Sequence, residues 1–271
     1  MLLIYRGAAC AQRQAVMRGG MKSIEKAVSA LQLMVESGGE LRVGDVSRHL
    51  KVNRSTASRL LASLAGGGLI EQDPLTQRYG AGILAVQLAA GFHRKFDIVE
   101  QAQREMEALA RETQHTAWLG VLSGAEVVVL KTVRGSQPIQ FAVEPGHRLP
   151  AHAAAMGKAL LSLKPDAEIP GLFEGPLTAA TKQTLHSLDD LLRELSLTRL
   201  RGYAISDQEL FDGVKAISIA LTERHKGTSI AISVSYPLFA LADGNDQPIV
   251  DALLAFGRRF GARIGDDRWT R

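Results

Sequence analysis

The stretch Val46-Ser47-Arg48-His49-Leu50-Lys51-Val52-Asn53-Arg54-Ser55-Thr56-Ala57-Ser58-Arg59-Leu60-Leu61, residues 46–61, decides the fold. Val46 and Leu50 stand one helical turn apart, while Ala57, Leu60, Leu61 and Leu64 recur at helical spacing. Two amphipathic helices therefore flank the tight connector Lys51-Val52-Asn53. The first is expected over residues 43–50, and the second starts near 53–55 and stops at Gly66-Gly67-Gly68. Upstream, Ser23 is placed to cap a helix carrying Ile24, Ala27, Val28, Leu31 and Val35, which Gly38-Gly39 ends. Downstream, Leu69-Ile70, the turn signal Asp73-Pro74 and Gln77-Arg78-Tyr79 read as a hairpin. Helix, helix, turn, helix, hairpin is the order of a winged helix-turn-helix.

Charge agrees with that order. No acidic residue occurs between positions 46 and 70, whereas Arg48, Lys51, Arg54 and Arg59 do. A surface approaching phosphates needs such a window, because each neutralised phosphate releases counterions. The second helix of the pair presents Asn53, Arg54, Ser55, Thr56, Ser58 and Arg59 near its N-terminal end, side chains able to reach phosphates and base edges in a major groove. Arg54 and Ser55 lead the candidates, and Thr56 has a second reading as a cap or a buried hydroxyl. Arg48 on the preceding helix and Arg78 on the hairpin complete the set, with an ordinary surface arginine as the equal alternative for Arg78. Across the chain the net charge is +4, and all the excess sits early: residues 1–20 hold three arginines and no acid, while residues 83–271 are slightly acidic.

The totals, 46% hydrophobic and 22% charged residues, are those of an ordinary globular chain able to bury a core. Residues 1–20 read as a disordered extension. The single cysteine, Cys10, lies in it and has no partner for an intramolecular disulfide. No apolar run approaches the ~18 residues of a membrane span, and Leu2-Leu3-Ile4-Tyr5 is too short for a signal-peptide core. A cytoplasmic protein without membrane contact is the expectation. Four regions follow: the extension, a DNA-binding domain over 21–82, a linker helix over 83–96, and a second domain over 97–271. The linker is apolar nearly all round, which favours packing against a second copy.

The second domain opens with an amphipathic helix over 98–113. Strands are expected at 116–122, 126–133 and 139–143, a helix at 153–163, and a polar helix at 187–201. Strands recur at 214–221 and 229–235, and a helix closes the domain at 249–264. This is an α+β arrangement with a largely antiparallel sheet. His147, His152, Asp207 and Glu209 can be assembled on paper as a catalytic or metal-binding group, but their spacing fits no zinc or two-metal pattern. His152 reads as a cap or a satisfied core residue, and Glu209 as a brace for the adjacent turn through backbone amides. Neither an enzyme nor a cofactor is expected.

These residues resemble the IclR-type transcriptional regulators. In the first domain the resemblance rests on residues 23–31, on Val43-Gly44-Asp45-Val46-Ser47-Arg48-His49-Leu50, and on Arg54-Ser55-Thr56-Ala57-Ser58-Arg59-Leu60-Leu61. Gly68-Leu69-Ile70 and Tyr79-Gly80-Ala81-Gly82 complete it. In the second it rests on Gly146-His147-Arg148-Leu149-Pro150-Ala151-His152 followed by Gly157-Lys158-Ala159-Leu160-Leu161, on Arg201-Gly202-Tyr203-Ala204 with Asp207-Gln208-Glu209 and Gly213, and on Ala231-Ile232-Ser233-Val234-Ser235. The resemblance implies a winged helix-turn-helix, a linker helix and a GAF-like α/β effector-binding domain. It also implies homodimers or dimers of dimers on palindromic double-stranded operator DNA, and a small organic or aromatic acid as effector. Repression is the more common mode; a ligand sensor without DNA binding is the alternative. Carried over by position, the effector-binding candidates are Ala155, Met156, Ser206, Ala216, Ser233 and Ser235. Backbone N–H groups at Ala155 and Met156 would suit a carboxylate, and Ser233 and Ser235 share one face of a strand. Ser206 and Ala216 stand where other members carry an acid and a cysteine, which turns the expectation toward a ligand with an apolar or aromatic part.

Overall fold

The computed structural model describes residues 22–95, 97–141, 143–241 and 244–270, so the expected extension at 1–20 lies outside the described residues. The chain divides into two compact units at residues 95/96. In the first unit, α1 (Lys22–Glu36), α2 (Val43–Leu50) and α3 (Arg54–Gly66) precede a hairpin of β1 (Ile70–Gln72) and β2 (Tyr79–Ala81), and α4 (Ile83–Lys95) follows. The helical periodicity closes one core from Ala30, Met34, Val46, Ala57, Leu61, Ile70 and Tyr79. Lys51 takes a left-handed conformation (φ 52°) and Ser47 Oγ donates to the Val52 carbonyl at 2.7 Å, which together make the sharp turn between α2 and α3. Leu41 exchanges two backbone hydrogen bonds with Tyr79, at 2.9 and 2.8 Å, and so fixes the hairpin to the segment before α2. On α4, Ile83, Val86 and Leu88 are exposed.

The second unit is built on a six-stranded antiparallel sheet in the order β5-β4-β3-β8-β7-β6. Its strands are β3 (Thr116–Ser123), β4 (Glu126–Val133), β5 (Arg148–Pro150), β6 (Ala204–Asp207), β7 (Val214–Thr222) and β8 (Ser229–Pro237). Because side chains alternate along a strand, β8 sends Ile230, Ile232, Val234 and Tyr236 to one face. There they meet α5 (Asp97–Thr113) and α8 (Gln247–Ile264), which bury Met106, Leu109, Phe256 and Phe260. The other face, with Trp118, Val127 and Ala231, is covered by α6 (Ala155–Leu161) and α7 (Leu188–Arg201).

Three expectations change. Residues 139–141 form no strand: Gln140 Nε2 donates to the carbonyls of Gly135 and Gln137, at 2.6 and 2.7 Å, and folds the stretch into a loop. The sheet edge is instead β5, paired with residues 126–128 of β4. The four-residue β6, paired with residues 215–218 of β7, was hidden by its brevity. The helix expected over 153–163 is shorter, because the amides of Ala153 and Ala154 turn back onto the Pro150 carbonyl before α6 begins. α6 lies so close to that turn that a Cβ on Gly157 would stand 2.2 Å from the Ala151 carbonyl oxygen. Gly157→Ala is therefore expected to cost about 2–3 kcal/mol through a clash with rigid backbone. Urea unfolding should show a lowered midpoint, and an unchanged midpoint would mean that α6 can retreat freely.

Candidate functional site

The first site is the outer surface of α3. Asn53 caps the helix: its Oδ1 accepts the Thr56 amide at 2.8 Å and the Ser55 hydroxyl at 3.0 Å. The cap is therefore Asn53 and not Thr56, which is half-buried and whose amide is the capped group. Arg54, Ser55, Ser58 and Arg59 are all exposed, and the pairs 54/58 and 55/59 each stand one turn apart on the same side. Ala57 and Leu61 occupy the buried side. Arg54 and Arg59 have no carboxylate partner among the described residues. Arg48 differs, since its Nη2 lies 2.6 Å from Asp45 Oδ1.

The hairpin is less suited to phosphates than its arginine implied. Arg78 Nη1 lies 3.4 Å from Glu40 Oε2, and Glu71 and Asp73 are both exposed on the hairpin. Hydrogen bonds from the Thr76 and Leu75 amides hold the Asp73 carboxyl below its usual range, so the turn stays negatively charged. On this geometry the positive surface is centred on α3 and not on the wing.

The second site lies on the α6 face of the sheet. Ala155, Met156, Ser206, Ala216, Ser233 and Ser235, drawn from one helix and three strands, line a single cavity of about 40 Å³. The register explains the meeting: Ser206 pairs with Ala216, which pairs with Ser235. The sequence did not single out the apolar wall, made by Trp118, Phe141, Leu149, Leu210, Phe211 and Val214. Trp118 could be placed there only with the β3–β8 pairing known. Its ring stacks on Phe141 at 5.9 Å, and Phe141 meets Phe211 at 4.3 Å.

The hydroxyls in this cavity are mostly engaged. Ser206 Oγ donates to the Ala153 carbonyl at 2.7 Å, and Ser233 Oγ donates to the Ile217 carbonyl at 2.9 Å. A hydroxyl has one proton to give, so both offer a ligand only lone pairs. Ser235 Oγ accepts from Trp118 Nε1 at 2.7 Å and keeps its own proton. Ser235 is thus the side-chain donor of the cavity, beside the first-turn amides of α6, which lack intrahelical acceptors.

Behind the cavity sits a buried ion pair that the sequence reading missed. Lys158, 0% exposed, places Nζ 2.6 Å from Glu209 Oε1 and 3.7 Å from Glu194 Oε1. Glu194 also pairs with Arg201. Glu209 is thereby a partner for an ammonium and not simply a brace for its own turn. Burial pushes its carboxyl up and Lys158 opposes that shift. His152 is buried, its Nε2 lies 3.0 Å from the Thr178 carbonyl, and burial holds its imidazole below the usual histidine range, which fits a neutral core histidine. No group of three or more metal-ligating side chains occurs among the described residues.

Residues 23–74 match the IclR helix-turn-helix domain, and residues 91–260 match the bacterial transcriptional regulator IclR C-terminal domain. The chain is 32% identical over 216 residues to the HTH-type transcriptional regulator XynR of Escherichia coli strain K12, covering 79% of this chain and 86% of XynR. It is 27% identical over 233 residues to the HTH-type transcriptional repressor AllR of the same strain, covering 86% of each. Among solved structures, an IclR homologue from Microbacterium hydrocarbonoxydans complexed with 4-hydroxybenzoate superposes with a TM-score of 0.76 at 19% identity, covering 90% of this chain and 99% of that one.

The Lys158 pair makes a stability prediction. Lys158→Met leaves Glu209 buried without its cation and is expected to cost about 3–5 kcal/mol. Lys158→Met with Glu209→Leu should recover much of that loss. Equal melting temperatures for the single and double variants would show that the pair is not coupled.

Proposed function

The chain belongs to the IclR family of bacterial transcriptional regulators, with its helix-turn-helix DNA-binding domain and its C-terminal ligand-binding domain, and from that premise we propose a ligand-responsive repressor whose α3 reads a palindromic operator. The observation that carries the DNA contact is the surface of α3. Arg54, Ser55, Ser58 and Arg59 are exposed together, inside a 46–70 window without an acid. In the major groove the arginines have the fork for guanine or phosphate, and the serines serve either groove edge or backbone. Arg48 and Asn53 play lesser roles, since Asp45 and the cap already engage them. Arg78 and Thr56 lie at the margin of the contact.

The effector in this reading is a compact organic acid with an apolar or aromatic body, seated between Trp118, Phe141 and Phe211. Ser235 and the amides of Ala155 and Met156 face its polar end, while Ser206, Ser233 and Ala216 shape the wall. The cavity is only a few times the volume that one water needs. A ring therefore enters only if Phe211 or Met156 swings aside, and that displacement is the signal. The homologue bound to 4-hydroxybenzoate supports an aromatic acid, and the repressor AllR supports the sign. Two copies joined through the exposed Ile83, Val86 and Leu88 of α4, singly or as a dimer of dimers, would space their α3 helices to the operator half-sites. A ligand that prefers one spacing shifts the population toward it. The protein acts in the cytoplasm, without a cofactor.

Arg54→Ala is expected to weaken operator binding at least tenfold at matched salt, by fluorescence anisotropy on DNA from the adjoining intergenic region. Wild-type affinity in that variant would remove α3 from the interface. Ser233→Leu, which fills the cavity, is expected to keep operator affinity while losing release by a small aromatic acid. An intact response would place the effector elsewhere.

A further inference from the structure

A second cleft opens at the other end of α6. It has a volume of about 610 Å³, against about 40 Å³ for the first, and falls in the roughly 300–1,000 Å³ class of small-molecule sites. α6 gives Met156 to the first cavity and Ala159 to the second, with Ser162 just past its end also on the second, while β7 gives Ala216 to the first and Ser218, Ala220 and Thr222 to the second. The buried Lys158 stands between them in sequence. Nothing in the repressor reading above uses this cleft.

Its chemistry is specific. The lining carries two cations, Arg199 and Arg268, two aromatic rings, Tyr203 and Trp269, and no carboxylate. Both guanidinium groups are held in place from one side. Arg199 donates from Nε to the Ser162 carbonyl at 2.8 Å and from Nη2 to the Lys164 carbonyl and Asp166 at 3.0 and 2.7 Å. Arg268 donates from Nε and Nη2 to Asp266 at 2.9 and 2.6 Å. In each, Nη1 has no protein acceptor among the described residues. A guanidinium fixed in this way gives up little rotamer freedom when it takes a further acceptor. Trp269 is fixed too: its Nε1 donates to the Ala220 carbonyl at 3.2 Å, and its indole fills the notch left by Gly257 and Gly261.

We propose that this cleft is a second small-molecule site, selective for an aromatic anion, an aryl carboxylate or aryl phosphate, whose charge meets Arg199 and Arg268 and whose ring packs with Tyr203 and Trp269. A planar apolar body suits Leu163 and Leu254 on the remaining wall. Because α6 borders both cavities, occupancy of this cleft bears on the same helix that walls the first.

The chain holds two tryptophans, one in each cavity, which gives a direct test. In full-length Trp118→Phe protein, Trp269 is the sole indole. Titration with phenyl phosphate and with benzoate is expected to give a saturable change in its emission, and benzyl alcohol at least tenfold weaker binding. Arg199→Gln should weaken the anions at least tenfold, Ala159→Leu should abolish the response, and Ser233→Leu in the first cavity should leave it intact. If Ala159→Leu does not fold, as judged by circular dichroism, Arg199→Gln alone decides. No saturable change, equal binding of benzyl alcohol, or unaltered affinity in Arg199→Gln would overturn the proposal. So would loss of the response in Ser233→Leu, which would assign the ligand to the first cavity without touching the repressor reading.

Discussion

A fully buried ammonium is costly enough to dictate what surrounds it, and Lys158 does so for the second unit. Removing such a charge from water costs several kcal/mol, which only close and well-placed partners offset. Those partners come from two directions: Glu209 from the segment after β6, and Glu194 from α7. One Nζ atom therefore ties α6 to both. The Glu209 segment is held again from its backbone side, where Thr181 Oγ1 donates to the Gln208 carbonyl and Thr184 Oγ1 to the Glu209 carbonyl, each at 2.6 Å. Leu210 and Phe211, the next residues along, form part of the cavity wall. The shape of the cavity is thus set in part by an ion pair outside it. Among the described residues Glu209 Oε2 has no hydrogen-bond partner.

The helical parts were legible because their causes are local. The apolar spacing of α1, α2 and α3 and the glycine stops stand within a few residues of the elements they define, and the structure places α2 at Val43–Leu50 as the pattern required. The failures were long-range or short in extent. Residues 139–143 have the composition of a strand, but Gln140 binds its own neighbourhood, and the sheet finds its edge in Arg148–Pro150. Three- and four-residue strands such as β5 and β6 exist through their partners, and no periodicity marks a segment that short.

The site was legible in the same uneven way. Side chains on α3 could be named because one helix sets which of them face outward. The six residues carried over from the family resemblance line one cavity, and no spacing in the sequence brings them together. What escaped were the contacts between distant residues. Trp118 reaches Ser235 across 117 positions, Lys158 reaches Glu209 across 51, and nothing in either neighbourhood announces the other. The wing shows the converse. Arg78 reads equally as a phosphate contact or an ordinary surface arginine, and only the fold reveals Glu40 beside it.

β7 is longer than the strand that flanks it. β6 covers residues 215–218, so residues 219–222 turn a bare backbone edge outward. Trp269 takes the Ala220 carbonyl and Asp266 takes the Thr222 amide, side chains standing in for a missing strand. That substitution is a form of solubility control. An open edge beside apolar residues is a template on which other chains add strands. The two glycines of α8 that seat the indole thereby keep a cover on this edge, which would otherwise be open to strand addition.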